Sequence, residues 1–496
     1  MKATTISVHW HDECQPVYSI NFQPGTVPAL RLATAGGDNN VRLWRLKHNS
    51  QKEPSVEYLC TLRKHTQAVN AVRFDASGRM LASASDDGLL LVWTLSQEVV
   101  TDFGHQDDDA VESWSVLQVH NTNLEIYDIA WSPDLARVAV ACMDNTLKVY
   151  NIERGLREAE MATHAHYVQG VAWDPKGEYL ATLSADRSVH VHKIESLLDT
   201  FKLSLLLKTY KTDQYGQLVS VLREKGVSTA EKKPVHLFYS ETLQSFFRRL
   251  AFSPDGSLLL APLGVFKKED ETAADSQTEG ATNEFVSLNT VYVFIRSGLD
   301  RPPVCHIPGL PKPAVAVSFS PLMYKLSGNG SPVFALAYKM IFAIATQNSV
   351  FIYDTEKLQP LGMVNNLHYL TITDISWEND GQALMVSSAE GFCSMVAFED
   401  GVFGELMEGQ KEVKPPKVEP KLDARPVNTL PVRRAEAKPA QSLISQFVAA
   451  PIIVKDEPST LQTSSKDNEL ASQNQNLVPE EQNKKRVVPT LLQDYK

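Results

Sequence analysis

Short apolar runs separated by turn residues fill roughly the first four hundred positions, and the pattern repeats. The stretches "HTQAVNAVRFDASGRMLASASDDGLLLVW" (65–93) and "HAHYVQGVAWDPKGEYLATLSADRSVHVH" (164–192) superpose without a gap. Each places a His before an apolar run that ends in an aromatic. A turn of the D-x-x-G or D-P-x-G kind follows, then a run with small residues, an Asp, and a third run. Runs of this length, bounded by Gly, Pro, Asp and Ser, predict β-strands rather than helices.

The pattern recurs at 17–44 and 126–150, and in more worn form at "FFRRLAFSPDG", "AVAVSFSP" and "ITDISWENDG". Seven copies result, anchored by Phe22, Phe74, Trp131, Trp173, Phe252, Phe319 and Trp377. Four-strand units of about 40 residues repeated seven times predict an all-β, seven-bladed WD40 β-propeller. Asp38, Asp87, Asp144 and Asp186 each precede a third-strand ring by six residues and read as turn braces bonded to the preceding His. Leu288, Gln347 and Glu390 occupy that place in later copies, so those turns are expected to be held otherwise. The strand "TTISVHW" (4–10) has no repeat of its own and is expected to complete the seventh blade, closing the ring.

The predicted propeller spans 1–404, with insertions at about 97–117, 196–245 and 266–286. One insertion carries the acidic run Asp107, Asp108, Asp109. Residues 405–496 lose the pattern: they hold 10 of 27 prolines and only two aromatics, Phe447 and Tyr495. Such a stretch cannot bury enough surface to offset chain entropy, and it is read as a disordered tail.

Aligning the seven first strands separates their faces. Counted back from the anchor ring, the fifth and second positions are apolar in every copy, which predicts burial between blades. The fourth position varies: Tyr18, Asn70, Tyr127, Gln169, Arg248, Val315, Thr373. Free variation between apolar neighbours predicts a solvent-facing ring at the central opening. Tyr18, Asn70, Tyr127, Gln169 and Arg248 are therefore the expected partner-binding face.

Composition narrows the chemistry. The tail carries 14 Lys and Arg against 13 Asp and Glu, about +1, so with a net charge of −11 the first 404 residues carry about −12. An acidic body is a poor sequence-specific DNA binder, because duplex affinity depends on neutralising phosphates. The five cysteines are scattered with no CxxC pair, which points to reduced thiols in the nucleus or cytosol. No apolar run is long enough for a membrane helix, and Met1 is not followed by a secretory leader. Phosphate-loop, nucleophile-elbow and HExxH patterns are absent from the sequence, so neither catalytic residues nor a cofactor are expected. His164-Ala-His166 and His190-Val-His192 have spacing that could ligate a metal, but both fall where the repeat places structural residues, and no metal is expected.

Several stretches resemble one family: "ISVHWHDECQPVYSINF", "HYVQGVAWDPKGEYLATLSADR", "SFFRRLAFSPDGSLLLAP" and "NTVYVFIRSGLDRP". They are similar to the WD-repeat middle subunit of chromatin assembly factor 1, with the HIRA propeller as the nearest relative. HIRA-type chains continue into a second large folded region, for which this chain offers no room. The resemblance implies a nuclear, non-catalytic scaffold that joins large and small subunits and deposits histone H3–H4 on newly replicated DNA. It leaves open whether the propeller meets histones directly. The segment 484–492, with Lys485, Arg486, Val487, Pro489, Leu491 and Leu492, resembles the family's B-domain motif, which docks on the anti-silencing-factor histone chaperone; a coincidental basic-apolar string is the other reading. "QSLISQFV" (441–448) resembles a sliding-clamp box without its second aromatic, and Val454-Lys455-Asp456-Glu457 a SUMO acceptor site. The rival classes are a HIRA-like chaperone subunit and a ubiquitin-ligase substrate receptor. The W-D-x-R typical of such receptors is replaced by "LWRLK", "VWTLS" and "VYNIER".

Overall fold

The computed structural model describes residues 1–25, 31–48, 54–97, 109–197, 200–209, 211–212, 235–243, 245–269, 285–328 and 330–407. These form seven four-stranded antiparallel sheets set around a common axis as a β-propeller. Six are in simple consecutive order and the seventh is completed by the N-terminal strand, with one small two-stranded sheet (211–212 with 235–236) beside them. Among the described residues there is no α-helix, only two short 3₁₀ turns.

The first strands line the axis: Val17–Phe22, Val69–Phe74, Ile126–Trp131, Val168–Trp173, Ala251–Phe252, Ala314–Lys325 and Ile372–Trp377. Each touches the first strands on either side, so the ring is continuous. Lys2–Ile6 pairs antiparallel with Cys393–Ala397 and becomes the outer strand of blade 7. Both ends of the repeat region thus share one sheet, and neither leaves an open ring edge.

The core is divided into seven apolar clusters, one per seam between neighbouring blades. This division follows from the strand period of two, which sends alternate side chains to opposite sheet faces. Every residue in the two apolar columns, from Val17 and Ile20 to Ile372 and Ile375, is buried in these seams or beside the axis. A Leu-sized side chain gains about 2 kcal/mol by leaving water, so the seams rather than strand pairing hold the wheel together.

Several boundaries differ from expectation: the closing strand is Lys2–Ile6 rather than 4–10, and Trp114–Asn121 is already the fourth strand of blade 2. The start of the region read as an insertion after residue 196 is the outer strand of blade 4: Thr200–Thr209 pairs along Val189–Leu197. Its Leu-rich run fits a rim strand, half of which faces a seam. Blade 5 carries its second and third strands beyond the wheel, pairing Gly264–Glu269 with Phe285–Thr290, so Lys267–Glu269 is sheet rather than loop. Residue 404 does not end the fold either. Phe403 is buried against Trp377 and Phe398, and Glu405 and Met407 form backbone hydrogen bonds with Lys325 and Met323.

Candidate functional site

At one end of the wheel, the turn between second and third strands meets the loop that enters each blade. Four blades lock this junction with the same device. In blade 2, His65 Nδ1 donates to Asp87 at 3.0 Å while its Nε2 meets Ser83 Oγ at 2.8 Å. Asp87 also accepts the Thr66 and Leu89 amides, and Trp93 Nε1 donates to Ser83. Blade 1 repeats the set with His11, Asp38, Thr34 and Trp44. Blade 4 uses His164, Asp186 and Thr182. In blade 7 the expected exception proves conventional: Glu390 does the work of Asp, accepting from His368 Nδ1 at 2.7 Å and from the Tyr369 amide at 2.8 Å. Asp144 in blade 3 instead holds Thr146 and the buried Lys148. Leu288 lies in no turn, since the blade 5 hairpin runs past it. The turn at Gln347 is tied by Thr346 Oγ1, which bonds the backbone of Ser349.

The varying fourth position is not the exposed rim that alternation predicted. Tyr18, Asn70, Tyr127, Gln169 and Arg248 are all buried, as are Val315 and Thr373. In six blades this residue sits at a register shift between first and second strands. A bulge residue leaves the sheet's alternation and is re-aimed. Here it turns inward, where each side chain meets different neighbours and the sequence is therefore free to vary. Tyr127 packs edge-on against Phe246, with centroids 4.5 Å apart, and Tyr18 lies 6.0 Å from Phe247. With Ala68, these rings plug the axis. Asn70 donates to Asp86 and to the Ile126 carbonyl. Arg248 donates to Gln169 Oε1 at 2.6 Å and to the carbonyls of Tyr239 and Ser240. Burial pulls its pKa down to about 10, which leaves it charged at neutral pH.

Behind the plug lies a polar hub that the column comparison passed over. Arg249 Nη1 reaches Asp374 at 3.0 Å, and its Nη2 donates to the Tyr18 and Asn70 carbonyls. Arg73 Nη1 donates to the same Asp374 oxygen at 2.8 Å, with Ser19 beside it and Asp128 3.5 Å from Arg249. Burial raises the Asp374 carboxyl, but Arg249 and Arg73 outweigh it and hold the group below the usual carboxylate range. The signal was present one column over, where Ser19, Ala71, Asp128, Gly170, Arg249, Ala316 and Asp374 place three charges among small residues. Gly170 has no alternative, since a Cβ there would overlap the Arg248 carbonyl oxygen.

The histidines of blade 4 are brought together, though not as ligands. His164, Asp186 and His190 cluster, but the two imidazoles stack 3.6 Å apart at 9°. Lone pairs lie in the ring planes, and parallel rings at that separation cannot aim them at one ion. His164 already bonds Asp186 and Thr182, and His190 bonds Thr163 and Ser188.

Of the acidic run, Asp109 is described and exposed, while Asp107 and Asp108 lie outside the described residues. The returning end of that loop is pinned to blade 1, where Arg31 holds Glu112 at 2.8 Å and the Val111 amide bonds the Leu59 carbonyl. Trp114 Nε1 donates to the same Glu112. The motif at 484–492, the clamp-like box at 441–448 and the site at Lys455 also lie outside the described residues.

The charged groups of the axis are thus engaged with one another. The CAF1B/HIR1 beta-propeller domain family matches residues 1–403. The B subunit of chromatin assembly factor 1 from Saccharomyces cerevisiae is 38% identical over 443 residues, covering 82% of this chain and 88% of that protein. Its Gallus gallus counterpart of the same name is 36% identical over 421 residues, 82% of this chain and 69% of that protein. Protein HIR1 of Kluyveromyces lactis is 26% identical over 423 residues, and the match covers 43% of that longer protein.

Proposed function

From the premise that the chain belongs to the CAF1B/HIR1 β-propeller family, we propose that it is the propeller subunit of a nuclear chromatin assembly complex. It acts as a non-catalytic scaffold, joins the large and small subunits, and serves the deposition of histone H3–H4 on newly replicated DNA. The observation that carries this is the similarity to the B subunits of chromatin assembly factor 1 at 36–38% identity, against 26% for the HIR1 relative.

The tail supplies the link to a histone source. An extended segment can add to the sheet edge of the anti-silencing-factor chaperone, with Val487 and Leu492 filling apolar pockets and Lys485 and Arg486 meeting carboxylates. Tethering the chaperone to the wheel raises the local concentration of its cargo. Arg486→Ala with Val487→Ala abolishes pull-down of that chaperone while the wheel still joins its partner subunits; undiminished pull-down refutes the assignment. The partner-binding surface moves with the correction at the axis. Tyr18, Tyr127 and Arg248 act by fixing the shape of the mouth, and the contact is made by the loops they support. The exposed pair Tyr369 and Leu370 stands on one of those loops, anchored through Glu390.

A further inference from the structure

The last described residues wall a cavity of 420 Å³ beside the seam of blades 6 and 7. Its apolar lining comes from Leu322, Tyr324, Phe398, Phe403 and Leu406. The floor is rigid, because Phe398 stacks on Trp377 at 5.3 Å and Phe403 packs edge-on against Tyr324. Around the opening stand Asp380, Glu399, Asp400 and Glu405, and among the described residues that line it there is no Lys, Arg or His. Glu399 has the Met1 ammonium at 3.3 Å and Glu405 has Lys325 at 2.9 Å. Both carboxylates still face water, with side chains 87% and 80% exposed.

An apolar floor under an acidic rim fits a short peptide that carries cations beside branched aliphatic residues. This chain contains one: Lys484-Lys485-Arg486-Val487-Val488-Pro489-Thr490-Leu491-Leu492. It is joined to the cavity wall itself through residues 408–483. We propose that the cavity receives the chain's own segment 484–492, the three cations facing the acidic rim and the aliphatic side chains entering the floor.

A random-coil chain of that length would span about 50 Å root-mean-square, so the number of intervening residues places the segment within reach of the wall from which it departs. Each exposed ion pair contributes at most about 1 kcal/mol, so the contact is weak in isolation. The tether compensates by holding the segment at an effective concentration on the order of millimolar. If the chaperone-docking reading also holds, the same side chains cannot serve both sites and the cavity keeps the motif in reserve. That consequence rests on the docking reading, whereas the contact itself does not.

The test uses the full chain with a photo-crosslinking benzoylphenylalanine in place of Val488, irradiated at low salt and mapped by mass spectrometry. The expected product is intramolecular and joins the probe to residues 399–406 or 322–324. Its yield falls about fivefold in Glu399→Lys/Asp400→Lys and likewise in Lys485→Glu/Arg486→Glu, as removal of a screened charge attraction requires. The second pair leaves the wheel untouched, so a loss there cannot come from misfolding. Crosslinks scattered over other faces, a product with the mass of two chains, or a yield indifferent to the tail reversal would each overturn the proposal. Pull-down of the chaperone by the same tail variant is read separately. Failure of the recruitment reading shows there, and failure of cavity docking shows in the crosslink map.

Discussion

Blades 2 and 4 descend from the same pattern and close their turns with the same His and Asp, yet they are finished differently at depth. In blade 2 the chain of bonds runs Asp87, His65, Ser83, Trp93 and ends on an indole whose single donor is used. In blade 4 it runs Asp186, His164, Thr182 and stops. His192 takes the place of the indole, is fully buried, and neither of its ring nitrogens has a hydrogen-bond partner. The stacked His190 sits where blade 2 has the aliphatic Leu91. A repeat therefore conserves the surface turn more strictly than its foundation, and blade 4 rests on neutral, buried imidazoles.

The largest expected effect lies in blade 2. Trp93→Ala removes an indole from the seam and the last donor of its brace, and should cost about 3–5 kcal/mol in denaturant unfolding. A cost below about 1 kcal/mol would mean that the brace does not reach the core. Next, Asp87→Ala strands the His65 ring and two amides, an expected loss of about 2–3 kcal/mol. Asp186→Ala should cost about the same, since it accepts from His164 and from the Ala165 and Ser188 amides. A much smaller loss in blade 4 would show its turn to be held by something else.

Acid sharpens the contrast. In blade 4 burial pulls the pKa of His192 down to about 4 and that of His190 down to about 2, with His164 adding to both effects. The unfolded chain binds protons near pH 6.5 and the folded chain does not, so stability is full above pH 6.5 and is lost as pH falls toward 4. Each residue should contribute about 2 kcal/mol to the difference between pH 7.5 and 5. His192→Phe should remove its share of that slope; an unchanged slope would assign the acid sensitivity elsewhere. The smallest effect is a gain: His192→Trp restores a donor to Thr182 and should add about 1 kcal/mol at neutral pH.

The sequence made the seams legible because burial from both sides leaves only apolar residues in two columns of every first strand. Ring closure was legible too, in a strand with no repeat of its own. The bulge position was misread for a physical reason: variation between apolar neighbours signals solvent only while the strand keeps its alternation. One extra residue breaks that alternation and turns Tyr18 and Tyr127 inward. The blade 4 rim strand was obscured because Leu203, Leu205 and Leu207 carry no turn signal to separate them from a loop expansion. Glu390 escaped because its carboxylate reaches the same donors through one more methylene. The hub could have been read, since Asp128, Arg249 and Asp374 share a column otherwise filled mostly by small residues.

The claim beneath all of this is that the wheel works by holding other proteins. Affinity purification of the full-length chain from nuclear extract, with mass spectrometry of what accompanies it, tests that claim most directly. The account predicts the large and small subunits of a chromatin assembly complex together with the anti-silencing chaperone. Recovery of the chain alone, or with a cullin ligase in their place, would contradict it.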